Sequence, residues 1–203
     1  SGQQLVLRVP LRSSLRFACR SSAVALGYAA SAALAQPTPL DPVEFQVNTY
    51  TSGDQHQPAV AANAAGIFWI VWASDGSGGS DTNEQSVQLQ RIGAGGVALD
   101  AADLQVNSYT LGMQRAPQVA ATAGGDFVVV WQSQFSPGGD ESVESIQLRR
   151  LRADGTALEP QEVQVNLYTT MEQQSPAVAA DPAGNFVVVW ESYGSFGSDQ
   201  EGT

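Results

Sequence analysis

A short phrase returns along this chain at a fixed distance. Gln46-Val-Asn-Thr-Tyr50 reappears as Gln105-Val-Asn-Ser-Tyr109 and again as Gln164-Val-Asn-Leu-Tyr168, each 59 residues after the last. Other positions keep the same stride without a gap: Gln55, Gln114 and Gln173; Pro58, Pro117 and Pro176; Gly66, Gly125 and Gly184; Trp72, Trp131 and Trp190. Gly96 and Gly155 form a further pair. A constant stride means one structural unit used repeatedly, each copy burying its apolar surface against the next. The units run 46–104, 105–163 and 164–203, the third cut short, because Thr203 stands where Glu144 stood one stride earlier.

Each unit reads as strands separated by turns. Gln57-Pro-Ala-Val-Ala-Ala62 is a short extended run opened by Pro, which suits the start or edge of a strand. Asn63-Ala-Ala-Gly66 is a turn in which Gly supplies a positive φ. Ile67-Phe-Trp-Ile-Val-Trp72, Phe127-Val-Val-Val-Trp131 and Phe186-Val-Val-Val-Trp190 are apolar at every residue. They are short and rich in β-branched and aromatic residues, which predicts strands covered on both faces. Val87-Gln-Leu-Gln-Arg91 and Ile146-Gln-Leu-Arg-Arg150 alternate, which predicts strands with one wet face. A last short strand is expected around Leu104-Gln-Val-Asn107. Four strands per unit, with the middle ones covered by neighbours, match a blade of a β-propeller. The expected fold is all-β: a propeller-like array of four-stranded blades, incomplete at about two and a half repeats. Small β-sandwich modules and a β-solenoid remain the alternatives. An array of this size leaves an open sheet edge, so the chain is expected to belong to a longer array or to associate with copies of itself.

The motifs also resemble a family of bacterial secreted repeats. Its pattern runs from a Phe-Val-Val-Val-Trp strand through a Gly/Asp/Ser loop to Gln-Val-Asn-x-Tyr-Thr, with repeats of about 60 residues, and the resemblance spans residues 43–203. It implies a propeller-like fold and an exported or surface location, often beside calcium-binding or adhesive modules, and no single activity. One departure concerns the loop: Asp75-Gly-Ser-Gly78 keeps the Asp-Gly-x-Gly of the relatives, whereas the second unit has Ser136-Pro-Gly-Gly-Asp140.

The first 36 residues read differently. Arg8, Arg12, Arg16 and Arg20 precede an apolar, small-residue stretch from Ser21 that ends in Ala33-Leu34-Ala35. Basic, apolar, then small-residue cut is the order of a secretory signal peptide, with residues 37–43 a linker to the repeats at 44–203. The alternative is an N-terminal helix of the fold. The stretch is too short and too rich in Ser and Gly for a permanent span. Removing it leaves five Arg against 20 acidic residues, a net charge of −15, and no Lys. Such a surface disfavours nucleic acid and anionic membranes. Carbohydrate, a surface protein or a cation fits it better. The single Cys, Cys19, lies in the leader, so neither disulfides nor thiol chemistry serve the repeats.

The candidate site residues are few. The loops after each Trp (74–84, 133–142 and 192–201) combine Gly with oxygen donors. In the first, Asp75 and Asp81 are placed to share a calcium ion, although the spacing is not that of an EF-hand. The alternative is a solvated connector. Asn48, Asn107 and Asn166 either face a ligand or fasten a turn to nearby backbone. Trp72, Trp131 and Trp190 either stack on sugars or fill the core. Tyr50, Tyr109 and Tyr168, flanked by polar residues, are the better candidates for stacking. His56, the only His, has Arg115 and Gln174 as counterparts and is expected at the surface. No nucleophile elbow and no Ser beside a His–Asp pair occurs, and nothing marks a pair of acids as a glycosidase pair. No catalytic residue, cofactor or metal ligand is therefore assigned, with calcium the one cofactor the loops would admit. The expectation is a secreted or cell-surface protein with a binding, adhesive or structural role. The alternative is part of an extracellular glycan-active hydrolase whose catalytic residues lie mostly outside these residues.

Overall fold

The computed structural model describes residues 6–7, 44–122, 124–135, 138–140, 143–181 and 183–194. The expected leader, apart from Val6–Leu7, and the linker at 37–43 lie outside these residues, as does most of the third loop. Every regular element described is a strand. None is a helix long and apolar enough to cross a membrane.

Strand β1 (Val6–Leu7) pairs antiparallel with β2 (Phe45–Gln46). The first large sheet holds β3 (Gln55–Ala62), β4 (Phe68–Asp75), β5 (Gln85–Ile92) and β6 (Leu104–Gln105), neighbours in that order and all antiparallel. The second repeats it with β7 (Gln114–Ala121), β8 (Phe127–Gln134), β9 (Glu144–Leu151) and β10 (Val163–Gln164). The third holds β11 (Gln173–Ala180) and β12 (Phe186–Ser192). Strand β7 packs against both β3 and β11, so the first strands of successive sheets lie side by side.

Local chemistry accounts for these elements. In the β3–β4 turn, Gly66 takes φ 77° and its amide donates to the Asn63 carbonyl at 3.0 Å. Asn63 Oδ1 accepts from the amides of Ala65 and Ile67, an Asx turn that closes the hairpin. Gly125 and Gly184 adopt the same positive φ, which L side chains resist. The prolines sit differently from the expectation. Each first strand begins three residues before its Pro, and the ladder slips between His56 and Ala59, Arg115 and Gln118, and Gln174 and Ala177. Gln57, Ala116 and Ser175 take positive φ there. This is a β-bulge on an edge strand, a place where a missing N–H costs no ladder bond.

The first two apolar runs are covered on both faces, whereas the third departs from the expectation, with Val187 and Val189 exposed on the face that no further sheet covers among the described residues. Trp69, Val71, Val87, Leu89 and Val106 of the first sheet meet Phe127, Val129, Trp131 and Leu151 of the second. Trp69 stacks on Phe127 with centroids 4.2 Å apart and planes at 22°. Ile70, Trp72 and Ile92 pack on the opposite face with Val47. The alternating strands depart from the expectation, since neither has a wet face along its length. Ser86, Gln88 and Gln90 of β5 are buried, as are Ser145 and Gln147 of β9. Gln88 and Gln147 donate to the hydroxyls of Ser86 and Ser145, and Gln90 donates to the Asp100 carbonyl. An alternating pattern marks two different faces, and here amide side chains occupy the second one, their N–H groups bonded to neighbours while the Oε1 atoms of Gln88, Gln90 and Gln147 are buried without a partner.

Two polar devices recur in register. Each Trp that recurs at the 59-residue stride donates its indole N–H to the Gln 17 residues before it: Trp72 to Gln55 at 2.7 Å, Trp131 to Gln114 at 3.1 Å and Trp190 to Gln173 at 3.0 Å. The second device ties the start of a unit to its end. Asp103 accepts from the amides of Thr49 and Tyr50, 54 and 53 residues earlier. Glu162 accepts from the amides of Ser108 and Tyr109 and from the Ser108 hydroxyl in the same way. Carboxylates that accept two backbone N–H groups make strong, charge-assisted bonds. Glu162→Ala is expected to lower stability by about 1–3 kcal/mol, the cost of leaving half-buried amides unpaired, with Glu162→Gln milder because its amide oxygen still accepts. Urea denaturation monitored by circular dichroism checks both, and a neutral Glu162→Ala would remove the device from the account.

Candidate functional site

The repeated side chains hold the frame. Asn107 Oδ1 accepts from the Val87 amide, and its Nδ2 donates to Asp81 Oδ2 at 2.6 Å and to the Tyr109 carbonyl at 2.8 Å. Asn166 repeats all three bonds with Ile146, Asp140 and Tyr168. Asn48 donates to the Tyr50 carbonyl. Asn107 and Asn166 thus pin three pieces of chain together: the third strand, the fourth strand and the loop after the Trp. The tyrosines lean on the same loops. A side chain at Gly76 would meet the Tyr50 hydroxyl at 3.0 Å, and one at Gly194 would meet that of Tyr168 at 2.7 Å. Trp72 and Trp131 are buried in the cores described above.

The two loop acids go to separate places. Asp81 is fully buried, with its oxygens turned to Asn107 and to the Asn83 amide. Burial pushes its carboxyl above the ordinary range, against the opposing pull of the Asn107 and Asn83 hydrogen bonds. Asp75 instead accepts from Gln85 Nε2 at 3.1 Å and lies 3.5 Å from His56 Nε2. Among the described residues, no three of His, Cys, Asp and Glu gather as a metal site would require.

Units differ at several places, and one set of differences lies where the first strands open. The opening of each first strand carries His56, Arg115 or Gln174 at the same register position, and these strands are neighbours. The partners differ too. His56 sits with Gln85 and Asp75, its Nε2 3.2 Å from Gln85 Nε2. Arg115 pairs with Glu144, whose other oxygen accepts from Gln132. Gln174 donates to the Tyr193 hydroxyl at 2.9 Å. Cross-links join the groups laterally: the Ala116 amide donates to Gln57 Oε1 and the Ser175 amide donates to Gln132 Oε1. The result is a row of three unlike polar clusters on one rim, with His56 and Arg115 about one-third exposed (30% and 34%) and Glu144 buried beneath Arg115.

No protein-family model matches the chain, and no curated protein matches it in sequence. The rim therefore has to be read from its own chemistry. It offers a hydrogen-bonding imidazole, a guanidinium held by a carboxylate, and amide and phenol groups. These suit recognition of hydroxyl and amide groups on a ligand. Sequence reasoning noted that His56, Arg115 and Gln174 correspond but assigned them no site. The signal that marks them is variation in polar type within a constant frame, together with the unlike partners Asp75, Glu144 and Tyr193.

Proposed function

We propose that this chain is a secreted or cell-surface repeat protein whose sheets are blades of a propeller-like array, and that it binds through the variable rim at their first strands. One observation carries the reading: Trp, Asn, Gln and Gly recur at every stride to build the frame, while His56, Arg115 and Gln174 differ at one register position. A frame kept constant beneath changing polar groups is the economy of a binding surface. The resemblance to exported bacterial repeats and the basic, apolar N-terminal stretch support the location. The acidic surface and the hydrogen-bonding rim favour a neutral carbohydrate or a surface protein over nucleic acid or an anionic membrane. The reading includes no catalysis.

The test is a panel of soluble polysaccharides and immobilised surface proteins against the purified chain. The expected result is a ligand whose affinity falls about tenfold or more, 1.4 kcal/mol, in the double variant His56→Ala/Gln174→Ala. Thermal melts should show that variant unchanged in stability, because both residues have weak, partly exposed partners. Binding indifferent to the double variant would move the site elsewhere. A second reading, an extracellular glycan-active hydrolase, is favoured by Asp75 and Glu144, acids specific to one unit each and on the same rim. Release of reducing sugar by the chain would establish it. Calcium at millimolar concentration and EDTA belong in the same melts, since a shift in midpoint would bring a metal ion into the loop chemistry.

A further inference from the structure

The outer face of the third sheet carries an apolar surface that the earlier sheets bury. Trp69 and Val71, which face the second sheet, are 0% exposed, and their counterparts Val128 and Val130 beneath the third sheet are 1% and 0% exposed. The next pair in register, Val187 and Val189, is 66% and 57% exposed. The lateral edge shows the same contrast. Strands β4 and β8 are each paired on both sides, whereas β12 pairs only with β11 among the described residues. Beside that edge lies an apolar cavity of about 440 Å³, lined in part by Val165, Gln173 and Trp190. Their counterparts Val106, Gln114 and Trp131 are completely buried, and Trp190 is 36% exposed.

We propose that this edge and face are a docking surface for one further copy of the 59-residue unit, joined in tandem. Its first contribution is a strand along β12 that closes the cavity over Trp190. Its second is a sheet laid on Val187 and Val189. The reason is continuity with an interface that the molecule already makes twice, at one stride and with apolar side chains at the same register positions. The same unit would bring the carboxylate that does for Leu167 what Glu162 does for Ser108. Strand addition at an open edge supplies the hydrogen bonds, and the valines supply apolar burial. The inference rests on the array reading above and not on any ligand.

The test extends the full chain with a second copy of its residues 145–203, in which Phe replaces the copied tryptophan. Thr203 occupies the register position of Glu144, so the extension continues the unit without a break. Acrylamide quenching reads Trp190, the exposed one of four tryptophans. In the original chain a quenchable fraction is expected that Trp190→Phe removes. In the extended chain that fraction should be lost, and hydrogen exchange at the open edge of β12 should slow. A scrambled extension of the same composition should leave both unchanged. Equal quenching and exchange in the extended and scrambled chains would overturn the proposal. A dimer of the original chain that already shields Trp190, seen by analytical ultracentrifugation, would overturn it in favour of a second copy. Neither readout depends on ligand binding, so a failed binding screen and a failed extension are separate results.

Discussion

Trp131→Ala is expected to lower stability by about 3–5 kcal/mol, the range for removing a large buried aromatic side chain. Trp190→Ala, the same substitution one stride later, should cost clearly less, about 1–2 kcal/mol, since the apolar area it removes from water is smaller. Both indoles make the same hydrogen bond, to Gln114 and to Gln173. The difference therefore isolates packing. Trp131 is buried between two sheets, whereas Trp190 borders the open edge of β12. Urea denaturation of the two variants, followed by circular dichroism, checks the ratio. Equal costs would mean that the two tryptophans have equivalent surroundings, against the geometry.

The second large effect is expected at Asn107. Asn107→Ala removes the donor to buried Asp81 and the acceptor for Val87 N–H, so it strands a carboxylate as well as an amide. A loss of about 2–4 kcal/mol follows from leaving two buried polar groups without this partner. Asn107→Asp nearly keeps the shape and reverses the electrostatics, placing a second carboxylate in hydrogen-bond range of the first. Two such groups do not both ionise cheaply. The direction with pH is fixed by Asp81, whose carboxyl already lies above its ordinary value of 3.8 because of burial. An acid raised on folding contributes its full stabilisation below its unfolded value and loses it as pH rises through the folded value. The Asn107→Asp penalty should therefore be smallest in acid and grow as pH rises to 7. A penalty independent of pH would show that the two carboxylates do not interact.

The strands were largely legible in the sequence, because burial on both faces leaves a direct trace. Phe127-Val-Val-Val-Trp131 is apolar throughout since β8 lies between two layers. The turns were legible for a similar reason: Gly66, Gly125 and Gly184 mark backbone that other residues avoid. The buried amides were not. Gln88 and Gln147 look like solvent-facing residues in an alternating strand, and only the neighbouring Ser86 and Ser145 hydroxyls make their burial tolerable. Such partners follow from three-dimensional register and leave no local pattern. The prolines misled in a related way, because Pro58 marks a bulge inside β3 and the strand begins at Gln55. For the rim, the correspondence of His56 with Arg115 and Gln174 was visible in the repeat. Its meaning depended on β3, β7 and β11 being neighbours, and on Glu144 lying beneath Arg115, neither of which spacing alone supplies.

The carboxylate latches impose a timetable on the growing chain. Thr49 cannot be fastened until Asp103 has been made, 54 residues later. At about 5–20 residues per second of synthesis, that is a wait of roughly 3–10 s. Each of the first two units is therefore unfastened until its own last residues have been made. Maturation runs from front to back, and the newest unit is always the one most open to proteases.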